Sequence, residues 1–320
     1  MWKRGQARVS AWLAIRDLAV MLAALAALAV LAVLAALVVP AAAHAQTTVE
    51  REMFVSVLSK ADQPVLTLGA ADFLVREDGR IREVLRARRA TDPIDIAVLI
   101  DTSQALGRQV ADTRKAVEAF IDAMAGHAQI SLIGVGDRPT ILTAYTDDVA
   151  KLKKGVGGIF PIPGSGATVL EGVQETLTGL AKRRPERAAI VVLWAGAVEF
   201  SNLSHEVILD KIAESGTALH VFTVGTAVPP DMMTQEGRSR EFVFDQGTRQ
   251  SGGRRDNVLS SMALPDAMTK LANELLGQYR ITYARPETLI PPKTIEVTVR
   301  QTDVTVRATP VVVRRKDPAK

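Results

Sequence analysis

The strongest constraint on the fold is a run of apolar β-forming residues from Ile94 to Ile100. Such a run is typical of a parallel strand that helices cover on both faces. Strand and helix patterns then alternate along the chain as far as Leu276. Repeated right-handed crossovers onto one mostly parallel sheet predict a doubly wound, Rossmann-like α/β domain at residues 92–277. The further strands are predicted at Ile130–Val135, Thr140–Ala144, Ala188–Trp194 and Ala218–Val224, and the helices at Val110–Met124, Val169–Leu180, Leu203–Ser215 and Pro265–Leu276.

Two β-rich segments flank this domain. Residues 46–91 hold about three predicted strands and residues 278–314 about four, the last of them at Val311–Val313. Neither segment is large enough to be stable alone. We therefore expect the two flanks to pack together as one small β-sandwich of about seven strands, into which the α/β domain is inserted. Residues 315–320 are expected to form a basic tail.

Residues 1–45 are typical of a targeting segment. Four Lys and Arg residues precede an uncharged run from Leu18 to Val39, and Pro40 and the small-x-small site Ala43-His44-Ala45 follow it. This pattern predicts a secretory signal peptide that is cut after Ala45. The run is also long enough to span a bilayer, so an uncleaved anchor in the inner membrane is the alternative. Both interpretations place the rest of the chain outside the cytoplasm, in the periplasm or secreted.

Charge and cysteine content exclude several classes of protein. Removing the four basic residues and the one acidic residue of the segment 1–45 leaves 35 of 39 basic and 34 of 35 acidic residues. This balance gives no argument for nucleic-acid binding. The chain has no cysteine, which excludes disulfides, thiolate metal sites, a cysteine nucleophile and attachment through a lipidated cysteine. Membrane contact is expected only if the N-terminal segment stays uncleaved.

Polar side chains follow directly after the strand that ends at Ile100. In an open α/β sheet, the loops at the carboxyl ends of the parallel strands meet at one edge, where such folds bind ligands. Three loops are expected to meet there. One carries Asp101 and Ser103, one carries Thr168 before a helix, and one follows the strand that ends at Trp194.

These loops resemble the metal-ion-dependent adhesion site of the von Willebrand factor type A family. In that family Asp-x-Ser-x-Ser, a Thr from a second loop and an Asp from a third hold the ion. Asp101, Ser103 and Thr168 stand in the family's positions, whereas Ala105 replaces the second Ser and Ala195 replaces the Asp. The resemblance therefore implies a degenerate site. Since Mg²⁺ requires near-octahedral oxygen coordination, we expect binding of Mg²⁺ or Mn²⁺ to be weak or absent, and no other cofactor.

Two interpretations of the remaining polar residues stay open. In one, Asp101, Ser103 and Thr168 form a residual metal site that water or a partner's carboxylate completes. In the other, Asp101 and Ser103 cap the helix that follows them, and Thr168 is the N-cap of the next helix.

Other segments are similar to bacterial proteins that are related to this family and common in Acidobacteria. They are Pro64–Leu68, Asp72–Gly79, Ser251–Arg254 and Leu275–Tyr283. The resemblance covers nearly the whole chain after residue 45 and implies the fold. Those proteins are mainly exported and their ligand is undefined, so the resemblance implies no specific partner.

The sequence lacks the patterns of common enzyme sites. Pro163 stands where the Gly-x-Ser-x-Gly pattern of a hydrolase requires glycine. The glycine-rich stretch from Gly155 to Gly166 has no Lys-Ser/Thr ending for nucleotide phosphates. We expect the histidines after residue 45 to be structural or solvated. They are His127, His205 and His220. We therefore expect a protein without enzymatic activity.

Large apolar residues surround the altered site. Trp194 takes a position that is usually small and polar in the family, and Phe160 and Ile162 lie in the loop before Thr168. These side chains either form a contact face for a protein partner or fold down and fill the vacated site. We expect an exported module that binds a protein partner through this face. The alternative is a metal-dependent adhesion or assembly protein whose partial site its partner completes. The candidate ligand-binding residues are Asp101, Ser103, Thr168, Trp194, Phe160 and Ile162.

Overall fold

The computed structural model of the chain describes residues 48–225, 233–287 and 292–310, together with Met21 and Ile290. The strands are β1 (Thr48–Ser59), β2 (Phe73–Glu77), β3 (Arg80–Arg82), β4 (Val84–Arg89), β5 (Ile94–Ile100), β6 (Ala128–Val135), β7 (Pro139–Thr146), β8 (Arg187–Trp194), β9 (Ala218–Val224), β10 (Arg255–Val258), β11 (Tyr279–Pro286), β12 (Ile295–Val299) and β13 (Val304–Pro310). The α-helices are α1 (Val110–Met124), α2 (Val149–Val156), α3 (Val169–Arg183), α4 (His205–Ser215), α5 (Gln235–Phe242), α6 (Thr248–Ser251) and α7 (Leu264–Leu276).

The central sheet has six strands in the order β10-β9-β8-β5-β6-β7. All neighbouring strands are parallel except β6 and β7, which form an antiparallel hairpin at one edge. β5 lies in the middle, where Ile94 pairs with Ala128 on one side and with Arg187 on the other. The sheet is mostly parallel, so the predicted fold class of this domain is confirmed.

β5 is buried on both faces, as its composition predicts. Successive residues such as Ile96 and Ala97 point to opposite faces of the sheet and so into two different cores. The core around Ile96 is formed with α1, α2 and α7, and the core around Ala97 with α3 and α4. The one charged residue of the strand, Asp95, accepts a hydrogen bond from Arg183 Nε at 2.7 Å. The strand therefore lies between two layers of helices. The loop that follows its carboxyl end lies at the edge of the sheet, outside these layers.

The sequence patterns missed four of the labelled elements of this domain, namely α2, α5, α6 and β10. β10 is a four-residue edge strand with the sequence Arg-Asp-Asn-Val, and α5 is a polar helix that continues through a π-helical segment, Val243–Gly247, into α6. Neither has the apolar periodicity on which sequence prediction depends. α2 has only eight residues, so its amphipathic pattern is short.

The two flanking segments form antiparallel sheets with the strand orders β13-β1-β11-β4 and β12-β2-β3. β1, from the first flank, pairs with both β11 and β13, from the second. Met53 of β1, Val75 of β2 and Ile281 of β11 are fully buried in the core between these sheets. The described residues of the two flanks thus form a small β-sandwich beside the α/β domain, as predicted. Its strands differ from the predicted ones, since the first flank supplies four and the second three, and the single strand expected at Ile81–Ala87 is divided into β3 and β4.

Several predictions from the sequence fall outside the described residues. They concern residues 1–45 apart from Met21, the strand at Val311–Val313 and the tail at residues 315–320. Among the residues that are described, no helix is both long and apolar enough to cross a membrane.

A buried ion network joins the sandwich to the α/β domain. Glu274, near the end of α7, is buried and accepts hydrogen bonds from Arg254 Nη1 and Arg307 Nη1, each at 3.1 Å. Arg254 precedes β10 and also pairs with Asp62 in the turn after β1, with Nη2 and Oδ2 2.9 Å apart. One buried carboxylate therefore holds cationic groups from both parts of the molecule.

We predict that Glu274→Ala lowers the free energy of unfolding by about 3–5 kcal/mol, because the buried guanidinium of Arg254 and the partly buried guanidinium of Arg307 lose their shared acceptor. The matched control is Glu50→Ala, which removes the ion pair of Glu50 with Arg86 at the surface and should cost less than about 1 kcal/mol. Denaturant unfolding of the variants measures both values. Equal losses in the two variants would contradict the role given to Glu274.

Candidate functional site

Three loops meet at the carboxyl ends of β5, β6 and β8, as predicted. The loop after β5 is bonded to the loop before α3, since Ile162 N donates to Thr102 O at 2.9 Å and Gly164 N donates to Gln104 Oε1 at 2.8 Å. The loop before α3 is bonded in turn to the loop after β8 through Ala167 N and Val198 O, which are 2.9 Å apart. The three loops form one hydrogen-bonded surface, here called the loop face (residues 101–109, 159–168 and 195–204).

The Asp101 carboxylate joins two of these loops from inside the protein. It is fully buried. Oδ1 accepts a hydrogen bond from Ser103 N, and Oδ2 accepts one from Ala195 N, each at 3.0 Å. Burial raises the pKa of Asp101, although hydrogen bonds from Ser103, Ala195 and Ala197 act in the opposite direction. Both carboxylate oxygens are thus used to hold backbone amides.

The hydroxyl groups of Ser103 and Thr168 also have partners within the loop face. Ser103 Oγ accepts from Ala105 N at 3.2 Å and so caps the 3₁₀ helix Gln104–Gln109. Thr168 occupies the N-cap position of α3, but its side chain makes no capping bond. Its Oγ1 instead donates to Gly136 O at 2.9 Å, which ties α3 to the β6–β7 hairpin.

The N-terminus of α3 is capped by the loop after β8. Glu199 Oε1 accepts from Val169 N at 3.0 Å, and Ser201 Oγ accepts from Leu170 N at 3.1 Å. A carboxylate at this position also interacts favourably with the helix dipole. Glu171 extends the cluster, since it bonds the Ser201 hydroxyl and accepts from Asn202 N at 2.9 Å.

Glu199 is a buried acid with one oxygen unused. Its Oε2 has no hydrogen-bond partner among the described residues. Burial is the largest cause that raises the pKa of Glu199, to about 7, and hydrogen bonds from Ser201 and the charge of Arg240 lower it by less. The loop after β8 therefore contains a carboxyl group whose charge changes near neutral pH.

Trp194, at the end of β8, lies in the interior and is only 2% exposed. Its ring packs against the guanidinium of Arg240 at 4.3 Å and edge-on against Phe244 at 6.0 Å. The structure therefore places Trp194 below the loop face, where it fills space between the sheet and the π-helical segment. It does not offer its ring to a partner.

Four other large apolar side chains are exposed on the loop face. Phe160 and Ile162 are 59% and 40% exposed, and Val198 and Phe200 are 55% and 62% exposed. They come from two loops on either side of the buried Asp101. Of the three apolar residues that the sequence proposed for this face, the structure places Phe160 and Ile162 at the surface and Trp194 beneath it.

The residues in the family's metal positions supply fewer oxygen ligands than the family's metal site has. Mg²⁺ requires about six oxygen ligands in near-ideal octahedral geometry. Both oxygens of Asp101 accept backbone N–H groups, Ser103 Oγ caps a helix, and Ala105 and Ala195 have no side-chain oxygen. Within the described part of the chain, no three His, Asp or Glu side chains are grouped so as to hold a metal ion.

Comparison with known families decides the identity of this domain. Residues 95–251 match the family model of the von Willebrand factor type A domain. The chain contains a von Willebrand factor type A domain. The matched segment contains Asp101 and the strands β6 to β9 of the central sheet, whereas β10, α7 and the β-sandwich lie outside it.

The von Willebrand factor type A domain also has similar solved structures. BatB, a conserved hypothetical protein from Bacteroides thetaiotaomicron, is similar with a TM-score of 0.44 and 16% identity, over 57% of this chain and 98% of that chain. The von Willebrand factor type A protein from Catenulispora acidiphila has a TM-score of 0.49 and 9% identity, over 82% and 73%. Proximal thread matrix protein 1 from the mussel byssus has a TM-score of 0.49 and 12% identity, over 67% of this chain and 51% of that chain. This chain thus spans about half of the mussel protein. No curated protein matches the chain.

Sequence reasoning missed the residues that cap α3 in the von Willebrand factor type A domain. Glu199 and Ser201 are about thirty positions from the amides that they bind. A signal is present in Val198-Glu199-Phe200, where one acid stands between two large apolar residues just after a buried strand. The packing of Arg240 on Trp194 has no local signal, because the two residues lie on elements far apart in the sequence.

We predict that Asp101→Asn lowers the free energy of unfolding by about 1–3 kcal/mol. Asn keeps one acceptor oxygen, and its NH₂ group cannot accept a hydrogen bond, so either Ser103 N or Ala195 N loses its partner. The loss should be the same in EDTA and in millimolar Mg²⁺, and the wild-type melting temperature should not respond to Mg²⁺ or Mn²⁺. Asp137→Asn in the neighbouring hairpin, which is exposed, is the control. A gain in wild-type stability with Mg²⁺ that Asp101→Asn abolishes would contradict this assignment.

We predict that Glu199→Gln weakens the pH dependence of stability. Since the folded state keeps the Glu199 proton up to about pH 7 and the unfolded chain loses it near pH 4.5, stability falls as pH rises between these values. The wild type should lose roughly 3 kcal/mol more than Glu199→Gln between pH 4.5 and pH 8. Unfolding at several pH values measures the difference, with the exposed Glu175→Gln of α3 as control. Parallel stability curves for wild type and Glu199→Gln would refute the raised pKa.

Proposed function

We propose that the protein is an exported, non-enzymatic module that binds a protein partner through the loop face of its von Willebrand factor type A domain. Domains of this family generally bind protein partners. Export is supported by the basic and apolar pattern of residues 1–45 and the small-x-small site at Ala43–Ala45. The partner contact is supported by the exposed apolar side chains on the loop face.

The exposure of Phe160, Ile162, Val198 and Phe200 is the observation that carries this proposal. Exposed large apolar side chains on neighbouring loops are typical of interaction sites, and aromatic residues supply much of the binding energy in such sites. The four side chains stand on loops at the edge of the sheet where α/β folds bind their ligands. The position of these four side chains and their apolar chemistry therefore both support a contact with a protein partner.

The loops that carry these side chains are held in one arrangement. Phe200 N donates to Ala167 O at 2.8 Å, and its ring covers Gly166, where a Cβ atom would clash with it. The Phe160 ring packs on the guanidinium of Arg114 at 4.2 Å, and Arg114 Nε is itself fixed by Ile159 O at 3.0 Å. A partner would meet a face that is already ordered, so binding costs little conformational entropy.

The proposed contact needs neither a metal ion nor a reaction. The amides of Ser103 and Ala195 donate hydrogen bonds to the Asp101 carboxylate. These bonds hold the loop face in shape without a cation. The metal-dependent alternative would need a cation to bind this carboxylate in addition to the two amides. The proposal therefore differs from that alternative in a measurable way, which is binding in the presence of EDTA.

We predict that the double variant Phe160→Ser/Phe200→Ser loses partner binding while its free energy of unfolding changes by less than about 1 kcal/mol, because both rings are largely exposed. The wild type and the variant, immobilised as full chains, are used to capture proteins from periplasmic and membrane fractions in EDTA and in Mg²⁺. Proteins that the wild type retains under both conditions and the variant does not retain are the expected result.

The matched control is Leu66→Ser/Ile81→Ser, which removes two exposed apolar side chains from the first flanking segment, away from the carboxyl edge of the central sheet. It should retain the same proteins as the wild type. The proposal fails if the two double variants behave alike, or if capture by the wild type requires Mg²⁺.

A further inference from the structure

A cavity of about 360 Å³ lies at the amino edge of the central sheet and is here called the amino-edge pocket (residues 90–93, 126–129, 147, 187 and 276). Its wall includes Asp92 before β5, Ala128 at the start of β6 and Arg187 at the start of β8. The strands of a parallel sheet start at the edge opposite to their carboxyl ends, so this pocket and the loop face lie at opposite edges and share no residue. Its volume is in the range of about 300–1,000 Å³ that is typical of small-molecule sites.

Arg187 lines this pocket, and one side of its guanidinium is unbonded. The residue is only 5% exposed. Its Nη1 has two carbonyl acceptors, Ala90 O at 3.5 Å and Leu275 O at 3.4 Å, and both distances exceed the usual range of about 2.7–3.2 Å. Nε and Nη2 donate to no group in the described part of the chain. Nε and Nη2 are a pair of neighbouring N–H donors of the kind through which arginine binds a carboxylate.

The other buried arginines in the described part of the chain each have a carboxylate partner. Arg254 Nη1 and Glu274 Oε2 are 3.1 Å apart, and Arg240 Nη2 and Glu241 Oε1 are 2.9 Å apart. Burial lowers the pKa of Arg187 to about 10, so the group is still charged at neutral pH. A buried charge without a direct counter-charge is costly. Among these buried arginines, Arg187 is thus the one that lacks a carboxylate.

The other ionisable residues of the pocket limit which anions it can accept. They are Asp92, His127 and Asp147. Asp92 already accepts hydrogen bonds from Arg88 Nη2 at 3.1 Å and from Arg280 Nη1 at 2.6 Å. Asp147 is exposed, so water and salt screen its charge, whereas the charge of Arg187 is buried and little screened. One negative charge at Arg187 is therefore favourable, and a second one in the same pocket would be repelled by the two acids.

We propose that the amino-edge pocket binds a small molecule with a single carboxylate group, which accepts hydrogen bonds from the Arg187 guanidinium. The carboxylate supplies the counter-charge that Arg254 and Arg240 obtain from the chain itself. The rest of the ligand is neutral or cationic, because Asp92 and Asp147 border the same pocket. This site is independent of the proposed function, since the loop face lies at the other edge of the sheet.

A direct test titrates the full chain with four compounds and follows it by NMR. Propionate and glycine betaine carry one carboxylate each, whereas succinate and inorganic phosphate carry more negative charge at neutral pH. The signals recorded are the Nε–H of Arg187 and the backbone amides of residues 126–129. We expect saturable shifts of these signals with propionate and with betaine, in the millimolar range. Succinate and phosphate should bind at least about tenfold more weakly, because their additional charge meets Asp92 and Asp147.

Arg187→Met removes the guanidinium and should abolish the shifts at residues 126–129. Because this variant also removes a buried charge that has no acidic partner, it should not lower the melting temperature. Lys182→Met, which removes an exposed cation near the end of α3 just before β8, is the matched control and should leave binding unchanged. The titration of the wild type depends on neither variant, so the proposal is tested even if Arg187→Met fails to fold.

Four results would overturn the proposal. The absence of saturable shifts with propionate and betaine would mean that water alone satisfies Arg187. Equal binding of phosphate would mean that the pocket does not select a single carboxylate. Binding that survives in Arg187→Met would place the ligand elsewhere. The fourth comes from N-acetyl tetra-alanine with a free carboxyl end, because binding at least about tenfold tighter than that of propionate would make the end of a polypeptide the source of the carboxylate.

Discussion

The loop face depends on one interaction, the double use of the Asp101 carboxylate as an acceptor. Its two oxygens hold Ser103 N and Ala195 N, which belong to the loops after β5 and after β8. Hydrogen bonds to a charged group contribute about 1.5–3 kcal/mol each when both partners are buried. Each oxygen of Asp101 therefore accepts a backbone amide of a different loop. These two bonds keep the loop face ordered although Ala105 and Ala195 stand where the family has oxygen-bearing side chains.

The remaining contacts extend this order from Asp101 to the surface. Thr168 ties α3 to the β6–β7 hairpin, and Glu199 and Ser201 cap the same helix from the loop after β8. Trp194 fills the space below, against Arg240. Most polar groups inside the face bond to one another and are not available to a partner. The surface itself carries the apolar side chains of Phe160, Ile162, Val198 and Phe200 together with exposed polar residues such as Gln104, Arg108 and Asn202.

The sequence is sufficient to predict the fold and the location of the face. The apolar strand β5, its central place in a parallel sheet and the sandwich of the two flanks are all encoded in local periodicity. The same holds for Asp101, Ser103 and Thr168, which stand at strand and helix ends. The role of Glu199 and the burial of Trp194 could not be predicted from the sequence. Glu199 caps α3 through Val169, and Trp194 packs against Arg240, and both contacts join segments that are far apart in the chain. β10 could not be predicted either, since a polar edge strand has no apolar alternation.

Amide hydrogen exchange at Ser103 and Ala195 tests the central claim most directly, because these two N–H groups donate to the Asp101 carboxylate. The exchange rates are measured by NMR on the full chain in EDTA and in millimolar Mg²⁺. Slow exchange at both amides, with equal rates under the two conditions, is the result that this structure predicts. Fast exchange in EDTA that becomes slow when Mg²⁺ is added would contradict it, because the loop face would then need a metal ion to form.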